Sequence, residues 1–470
     1  SRGSMFGSGI LNALGAIGFE GGIYPVNPKG GEFNGRKIYK NINEIPAEID
    51  FAIIAVPAEY VPAALEECRV ADVAGVEILS AGFSEAGTDK GRELEEEIKK
   101  ISARGIRVVG PNCFGIYCPA SGLTLLPGPD LSRQSGPVAF ISQSGGMSID
   151  FAHIGKWMGV TFSKVISFGN GADLRETELL EYLGDDPETK VIAMYIEGVK
   201  DGRAFFEVLK TVAAKKPVII NKGGLSQAGS RAVESHTASM GGSRVIWESL
   251  LRQAGAVQVD DLWELAHTCL AFSLLPQKVY KGITIAGGGG ALGVSGCDVA
   301  ERHGLFLPLL TEDIRDAIMA VLPRPGSSAN NPIDAANPFV QPDAYREVFL
   351  SSAKNEQVDA QILIQLIYHY KSMAEAMGVA VKDIIPYNEL SDVLSSVIDI
   401  TDKPIMLVLP GIKQGIDSLD IEEVVRVARG VFLDKNIPVF DDLNSALKAL
   451  SHVSRYYSRR RYRESDGGQI

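Results

Sequence analysis

The sequence predicts an α/β protein with parallel sheets. Two observations carry that expectation. Short apolar, β-branched runs alternate with amphipathic helical stretches along all 470 residues. Several of those runs feed into turns dense in glycine and serine, within a total of 50 glycines that no collagen-like or low-complexity period explains. Hydrophobic residues make up 45% and charged residues 22%, which is ordinary for a globular chain and excludes a disordered or fibrous one.

In chain order, strands are expected over 22–26, 51–56, 76–80 and 107–110, with helices over 58–68 and 89–103. Residues 119–136 carry Pro127 and Pro129 with little periodicity and read as a linker. A second unit has strands over 137–142, 162–167, 190–196 and 217–222, and helices over 144–158, 177–183, 202–214 and 242–254, closing with 261–275. After Pro276-Gln277 a third has strands over 282–286, 360–366, 404–409 and 438–440, and helices over 291–303, 343–353 and 421–435. At about 100–200 residues per domain, the length suits three domains, expected over 1–125, 126–276 and 277–455, before a polar tail over 456–470.

Charge narrows the function. The 46 basic and 58 acidic side chains leave −12, against a nucleic-acid footprint. The run Arg459-Arg460-Arg461, beside Tyr456 and Tyr457, reads as a solvated, frayed terminus. Cys68, Cys113, Cys118, Cys269 and Cys297 form no CxxC pair, so a disulfide framework or zinc site is not expected and a reducing, cytoplasmic compartment fits. No apolar run approaches the roughly 20 residues of a membrane span.

Three turns have the composition of anion cradles. They are Gly3-Ser4-Met5-Phe6-Gly7-Ser8-Gly9, opening a helix through Leu14; Ser142-Gln143-Ser144-Gly145-Gly146; and Gly287-Gly288-Gly289-Gly290-Ala291. Glycine permits close backbone approach, and a helix amino terminus offers unpaired N–H groups and a positive dipole end. Each alone is equally a structural turn. Two opening the first helix of adjacent α/β units suggest one anion held between two helix ends. The first turn invites a nicotinamide reading, but Tyr24-Pro25-Val26-Asn27-Pro28-Lys29 offers no acid for a ribose diol. Lys29 suits a nucleotide with extra phosphate, while Asn27-Pro28 is also simply a good turn.

Six histidines are present, and no pair has metal-ligand spacing. His153 and His267 lie in helical stretches, His303 precedes Gly304 at a helix end, and His369 and His452 have no evident partners. His236 differs. It lies in the small, polar stretch Gly224-Leu225-Ser226-Gln227-Ala228-Gly229-Ser230-Arg231-Ala232-Val233-Glu234-Ser235-His236-Thr237-Ala238-Ser239-Met240-Gly241-Gly242, read as a loop between a strand and a helix. An imidazole there is a nucleophile and proton carrier, or a bland loop residue.

Lys222, Ser226, Gly229, Ala232 and Ser235-His236-Thr237 together resemble the phosphohistidine loop of the ADP-forming acyl-CoA synthetases, grouped with succinyl-CoA synthetase. Tyr24-Pro25-Val26-Asn27-Pro28-Lys29, Val56-Pro57-Ala58, Ser80-Ala81-Gly82-Phe83 and Gly110-Pro111-Asn112-Cys113-Phe114-Gly115 resemble that family's CoA-binding domain. Ser142-Gln143-Ser144-Gly145-Gly146 resembles its first phosphate-binding helix. The glycine run at 287–290 and Asn331-Pro332-Ile333-Asp334 resemble its second ligase domain.

The resemblance implies a Rossmann-like CoA-binding domain followed by two flavodoxin-like, doubly wound ligase domains. It implies acyl-CoA + ADP + phosphate ⇌ acid + CoA + ATP through an acyl phosphate and phospho-His236, with Glu197 anchoring the imidazole. CoA is expected at Gly7, Ser8, Gly9, Asn27, Lys29, Val56, Pro57, Ser80, Ala81, Gly82 and Asn112. Phosphate is expected at Ser144, Gly145 and Gly146 and at Gly288, Gly289 and Gly290. The acyl pocket is expected where Phe114, residues 144–148 and Phe168-Gly169-Asn170-Gly171 converge. No stretch resembles an ATP-grasp site, which implies a partner subunit carrying ATP or ADP with Mg, in an α2β2 assembly, and no metal on this chain. The family usually has arginine where this chain has Leu225, and glycine where it has Ala238. Its first strand should precede Ser1, so further residues are expected upstream. A non-catalytic CoA-binding regulator, a dicarboxylate ligase like succinyl-CoA synthetase and a nicotinamide dehydrogenase are the rival readings.

Overall fold

The structure, a computed structural model, describes residues 2–126, 130–237 and 243–465, with side chains over 7–126, 130–233 and 243–462. The chain divides into two units, Ser1–Lys156 with Val160–Leu265, and Trp157–Gly159 with Ala266–Ile470.

The first unit begins with α1 (Arg2–Ala16), the small hairpin of β1 (Gly31–Phe33) and β2 (Arg36–Ile38), then β3 (Phe51–Ile54), α2 (Val61–Val70), β4 (Gly75–Ile78), α3 (Asp89–Ser102) and β5 (Arg107–Val109). β3, β4 and β5 pair in parallel in that order. Helix α3 starts on Thr88, whose hydroxyl accepts the Gly91 N–H at 3.0 Å. A Cβ on Gly91 would lie 2.1 Å from the Phe83 carbonyl oxygen, so glycine is what lets this helix lie against the preceding loop.

Two expectations fail in this stretch. The segment Gly3-Ser4-Met5-Phe6-Gly7-Ser8-Gly9 is not a turn opening a helix but lies within α1. Burial of Ile10, Ala13 and Leu14 with Leu79, Val109 and Cys113 overrides the weak helix propensity of glycine. The strand over 22–26 is also absent, leaving an isolated bridge between Val26 and Tyr39. Pro25 and Pro28 have no N–H to give a ladder.

The same unit continues with β6 (Gly115–Tyr117), β7 (Ser135–Ser142), α4 (Gly145–Met158), β8 (Phe162–Ser167), α5 (Glu176–Asp185), β9 (Val191–Ile196), α6 (Gly202–Lys215), β10 (Val218–Lys222), α7 (Gln227–Thr237), α8 (Arg244–Ala254), β11 (Val257–Val259) and α9 (Leu262–Leu274), which runs on into the second unit. The sheet order is β11-β10-β9-β7-β8-β6. Counted from β7, its five parallel strands run 2-1-3-4-5, the flavodoxin-like order, with β6 antiparallel on the β8 edge. The expected linker is no free tether where it is described. Leu125 and Leu126 are fully buried, and the Leu126 N–H donates to the Phe114 carbonyl at 2.9 Å. Apolar side chains, not periodicity, decide its place.

The second unit holds β12 (Ile283–Gly287), α10 (Gly290–Arg302), α11 (Glu312–Val321), β13 (Ile333–Asp334), α12 (Pro342–Ser352), β14 (Ala360–Ile364), α13 (Tyr370–Met377), α14 (Tyr387–Thr401), β15 (Ile405–Val408), α15 (Leu419–Asp434), β16 (Val439–Phe440) and α16 (Leu443–Ser465). Its parallel strands are ordered β13-β12-β14-β15-β16, again 2-1-3-4-5. The expected frayed tail is instead part of α16 where it is described. Leu447, Leu450, Val453 and Tyr457 recur at helical spacing and are buried, and Phe272 meets Tyr456 edge-on at 5.6 Å. Among the described residues no helix is long and apolar enough to cross a membrane.

Candidate active site

Open parallel sheets take ligands outside the carboxyl ends of their strands, where the strand order reverses. In the six-stranded sheet that place is between β7 and β9. After β7 the chain turns through Gln143 and Ser144 into α4. Ser142 Oγ donates to the Ser144 carbonyl at 2.6 Å and accepts the Ser144 N–H at 3.2 Å. Ser144 Oγ accepts the Met147 N–H at 3.4 Å, and Ser148 Oγ donates to the Gly145 carbonyl at 2.6 Å. The hydroxyls fix the turn that opens α4, whose first backbone N–H groups have no carbonyl partner within the helix. A Cβ on Gly146 would meet nothing nearer than Ser144 Oγ at 4.0 Å, whereas one on Gly145 would press the Phe114 ring at 3.1 Å.

Glu197 follows β9 and is buried. Its N–H and that of Gly198 donate to Gln143 Oε1 at 2.8 and 3.2 Å. Tyr195 Oη donates to Glu197 Oε1 at 3.2 Å. Burial, then the Glu197 charge, pushes the Tyr195 phenol up, so it stays a donor. Lys222, the last residue of β10, is buried with its ammonium 4.9 Å from the Trp247 ring centroid. Its Nζ donates to the Glu197 carbonyl at 2.7 Å and to the Gly223 carbonyl. Burial pushes this lysine down to about 8, against the opposing pull of the Glu197 charge.

His236 is in the last turn of α7, not on a loop. Its side chain lies outside the described residues, as do residues 238–242. The helix forms because Ser226 caps it: its hydroxyl accepts the Gly229 N–H at 3.0 Å, and its carbonyl accepts the Ser230 N–H at 2.7 Å. That serine was the available signal, masked by small polar neighbours. Helix α7 lies against the turn Ser84–Ala86.

Of the expected CoA residues, the structure gathers Val56, Pro57, Ser80, Ala81, Gly82 and Asn112 in the loops after β3, β4 and β5. Ser80 Oγ donates to the Val56 carbonyl, and the Asn112 N–H donates to the Ser80 carbonyl at 2.9 Å. Gly7, Ser8 and Gly9 are in helix α1, so the turn expected to cradle phosphate there is corrected to helix. Asn27 makes a turn, its Oδ1 accepting the Lys29 N–H at 3.0 Å, and Lys29 is exposed.

Of the segments expected at an acyl pocket, Phe114 lies against Gly145. The Phe114 N–H donates to Ser167 Oγ at 3.1 Å, and Asn170 accepts from Asn112 Nδ2 at 3.3 Å through Oδ1. Asn170 Nδ2 donates to Glu85 Oε2 at 2.6 Å and Glu95 Oε2 at 2.9 Å. Gly288, Gly289 and Gly290 belong to the second unit, where Gly289 (φ +109°) precedes α10. Gln143 and Lys222 stand out in the sequence only as members of motifs, and Tyr195, Glu85 and Glu95 carry no local signal. Their roles depend on strand order, which no local spacing displays.

Two family models match the chain, a CoA binding domain over residues 2–119 and a succinyl-CoA ligase like flavodoxin domain over 135–272. The chain is 34% identical to the acetate–CoA ligase [ADP-forming] I subunit alpha of Pyrococcus furiosus, across 96% of this chain and 93% of that protein. It is 39% identical to the II subunit alpha of the same organism, across 78% of this chain and 80% of that one. A solved dinucleotide forming acetyl-coenzyme A synthetase 1 of Ca. Korarchaeum cryptofilum, in complex with phosphate and ADP, superposes with a TM-score of 0.81 at 30% identity, covering 98% of this chain and 94% of that chain. The fold is thus that of an acid–CoA ligase built on the succinyl-CoA ligase plan. Within that class the chain belongs to the ADP-forming acyl-CoA synthetases, as an alpha subunit.

Proposed function

We propose that this subunit carries acyl-CoA + ADP + phosphate ⇌ carboxylic acid + CoA + ATP through an acyl phosphate and a phosphohistidine at His236. Nucleotide and Mg sit on an ATP-grasp partner subunit of a cytoplasmic α2β2 assembly. The observation that carries the reading is the bond, at the β7/β9 crevice, between Gln143 in the turn that opens α4 and the buried Glu197, beside the strand that leads into the His236 helix. In this division, residues 1–125 bind CoA, 126–276 hold the phosphohistidine helix, and 277–455 form the second ligase domain. CoA lies along Val56, Pro57, Ser80, Ala81, Gly82 and Asn112, with Lys29, Asn27 and Gly7, Ser8 and Gly9 toward its phosphates. Gly288, Gly289 and Gly290 form a second anion-binding turn. The likeness to acetate–CoA ligases makes acetate the first acid to test.

Phosphate bound at Ser144, Gly145 and Gly146 attacks the thioester carbonyl. The C–S bond breaks and CoA leaves as thiolate. The helix N–H groups stabilise phosphate charge without reorganising. A neutral imidazole nitrogen of His236 then attacks phosphorus, the P–O bond to the acyl group breaks, and the carboxylate departs. Glu197 holds the other ring N–H and stabilises the cationic phosphoimidazole. The phosphoryl group passes finally to ADP on the partner.

The test uses the complex with its partner subunit, acetyl-CoA and radiolabelled phosphate. Label enters the wild-type alpha subunit as an acid-labile, base-stable adduct and is absent from His236→Ala. Label that persists in His236→Ala, or never enters wild type, sinks the reading.

A further inference from the structure

The ladder of β9 stops at Ile196, and the next residue is Glu197. Its neighbours in the sheet are β7 on one side and β10 on the other. Beyond the last ladder bond, a side chain from each neighbour takes over. From the β7 side, Gln143 Oε1 accepts the N–H groups of Glu197 and Gly198. From the β10 side, Lys222 Nζ donates to the Glu197 carbonyl. Both backbone groups of the acid are thus bound by side chains, on opposite flanks. The space is close: a Cβ on Gly223 would lie 2.7 Å from Tyr195 Oη and 3.5 Å from Glu197 Cγ.

We infer that Gln143 and Lys222 are positioning residues, a two-sided clamp that sets where the Glu197 carboxylate meets the imidazole. The inference rests on the proposed role of Glu197.

The fold does not require this clamp. Helices α4 and α10 each begin three residues after the last residue of their strands, Ser142 and Gly287. Ser142 pairs with Tyr195, and Gly287 with Ile364. Two residues further on, Glu197 corresponds to Leu366. Lys222 pairs with Ile196, and Ile364 with Val408, so Lys222 corresponds to Leu409 and Gln143 to Gly288. Leucine, leucine and glycine close the second sheet. A buried ammonium is a costly way to end a strand, as its depressed affinity for the proton shows. The ammonium stands beside the acid in the first sheet, and leucine takes both places in the second.

The experiment measures, on the complex with its partner, the rate of phosphoenzyme formation and the affinity for CoA. Lys222→Met and Gln143→Ala each slow phosphorylation by about 10- to 100-fold, the scale of a misplaced reacting group, with CoA affinity kept within about twofold. Gln143→Glu retains the accepting oxygen and stays faster than Gln143→Ala; the two Gln143 variants decide the matter if Lys222→Met does not fold. In a Glu197→Gln background the same changes slow the reaction less than about twofold, because there is no carboxylate left to aim. Equal slowing in both backgrounds, or a loss that follows CoA affinity, overturns the clamp. Wild-type rates in Glu197→Gln itself overturn the role of Glu197, and the clamp with it. A slow Glu197→Gln beside fast Lys222→Met and Gln143→Ala overturns the clamp alone.

Discussion

The two doubly wound sheets share one strand order and one turn position, yet their turns are built from different chemistry. In the first, Ser142, Ser144 and Ser148 hydroxyls tie the backbone around the α4 opening. In the second, Gly287, Gly288 and Gly289 precede α10, with Gly289 at φ +109°. A Cβ on Gly290 would stand 2.6 Å from Asp334 Oδ2, so the acid there belongs to strand β13. By register Asp334 corresponds to Ser167, while the clamped Glu197 corresponds to Leu366. One fold thus offers the same crevice twice, and the residues at the strand ends decide which crevice carries a buried acid between strands one and three.

The largest effect comes from making the first crevice like the second. Glu197→Leu is expected to slow phosphoenzyme formation by about 10²- to 10⁴-fold, the usual range for a lost proton-handling group, with CoA affinity unchanged by titration calorimetry. A rate near wild type breaks the comparison. The reciprocal change, Leu366→Glu, places a carboxyl where the counterparts of Gln143 and Lys222 are Gly288 and Leu409, which have no polar side-chain atom to offer. It is expected to destabilise the second unit by about 2–4 kcal/mol, read from its denaturant midpoint. Loss below about 0.5 kcal/mol would show that Leu366 is not the buried counterpart its register implies.

A pH-dependent effect sharpens the contrast with an acid outside both sheets. Glu77 of β4 is buried against Gly115, accepts the Ile116 N–H at 3.2 Å, and is pushed up by burial to about 8. The folded chain keeps a proton that the unfolded chain releases from about pH 4.5. Its contribution to stability is therefore full below that pH and is lost as pH rises through about 8. The slope is about 1.4 kcal/mol per unit at most. Glu77→Gln is expected to flatten this dependence in denaturant midpoints taken from pH 5 to pH 8. An unchanged profile means Glu77 is ionised in the fold.

The alternation of apolar runs and helices marks the parallel strands of both large sheets except the short edge strands β11 and β13, because those strands are largely buried and rich in apolar and β-branched residues. The Ser142–Gly146 and 287–290 turns and Glu197 were legible as motifs. What escaped depends on distant partners. The glycines of α1 became helical because Ile10 and Leu14 find a core elsewhere. Tyr456 and Tyr457 looked like tail residues until Phe272 was placed against them. Gln143 and Lys222 stand 79 residues apart in the sequence, and both reach the backbone of Glu197 only because β7 and β10 flank β9.

Strand β6 has a practical consequence. It lies in the stretch matched by the CoA binding domain, yet it pairs with β8 of the ligase sheet, and its Ile116 N–H is held by Glu77 of the CoA-binding sheet. A seam drawn between these modules at residue 119 would leave the ligase sheet without its edge strand. Chimaeras that exchange CoA-binding modules among these synthetases should carry residues 115–126 with the ligase sheet, and splice upstream of Gly115.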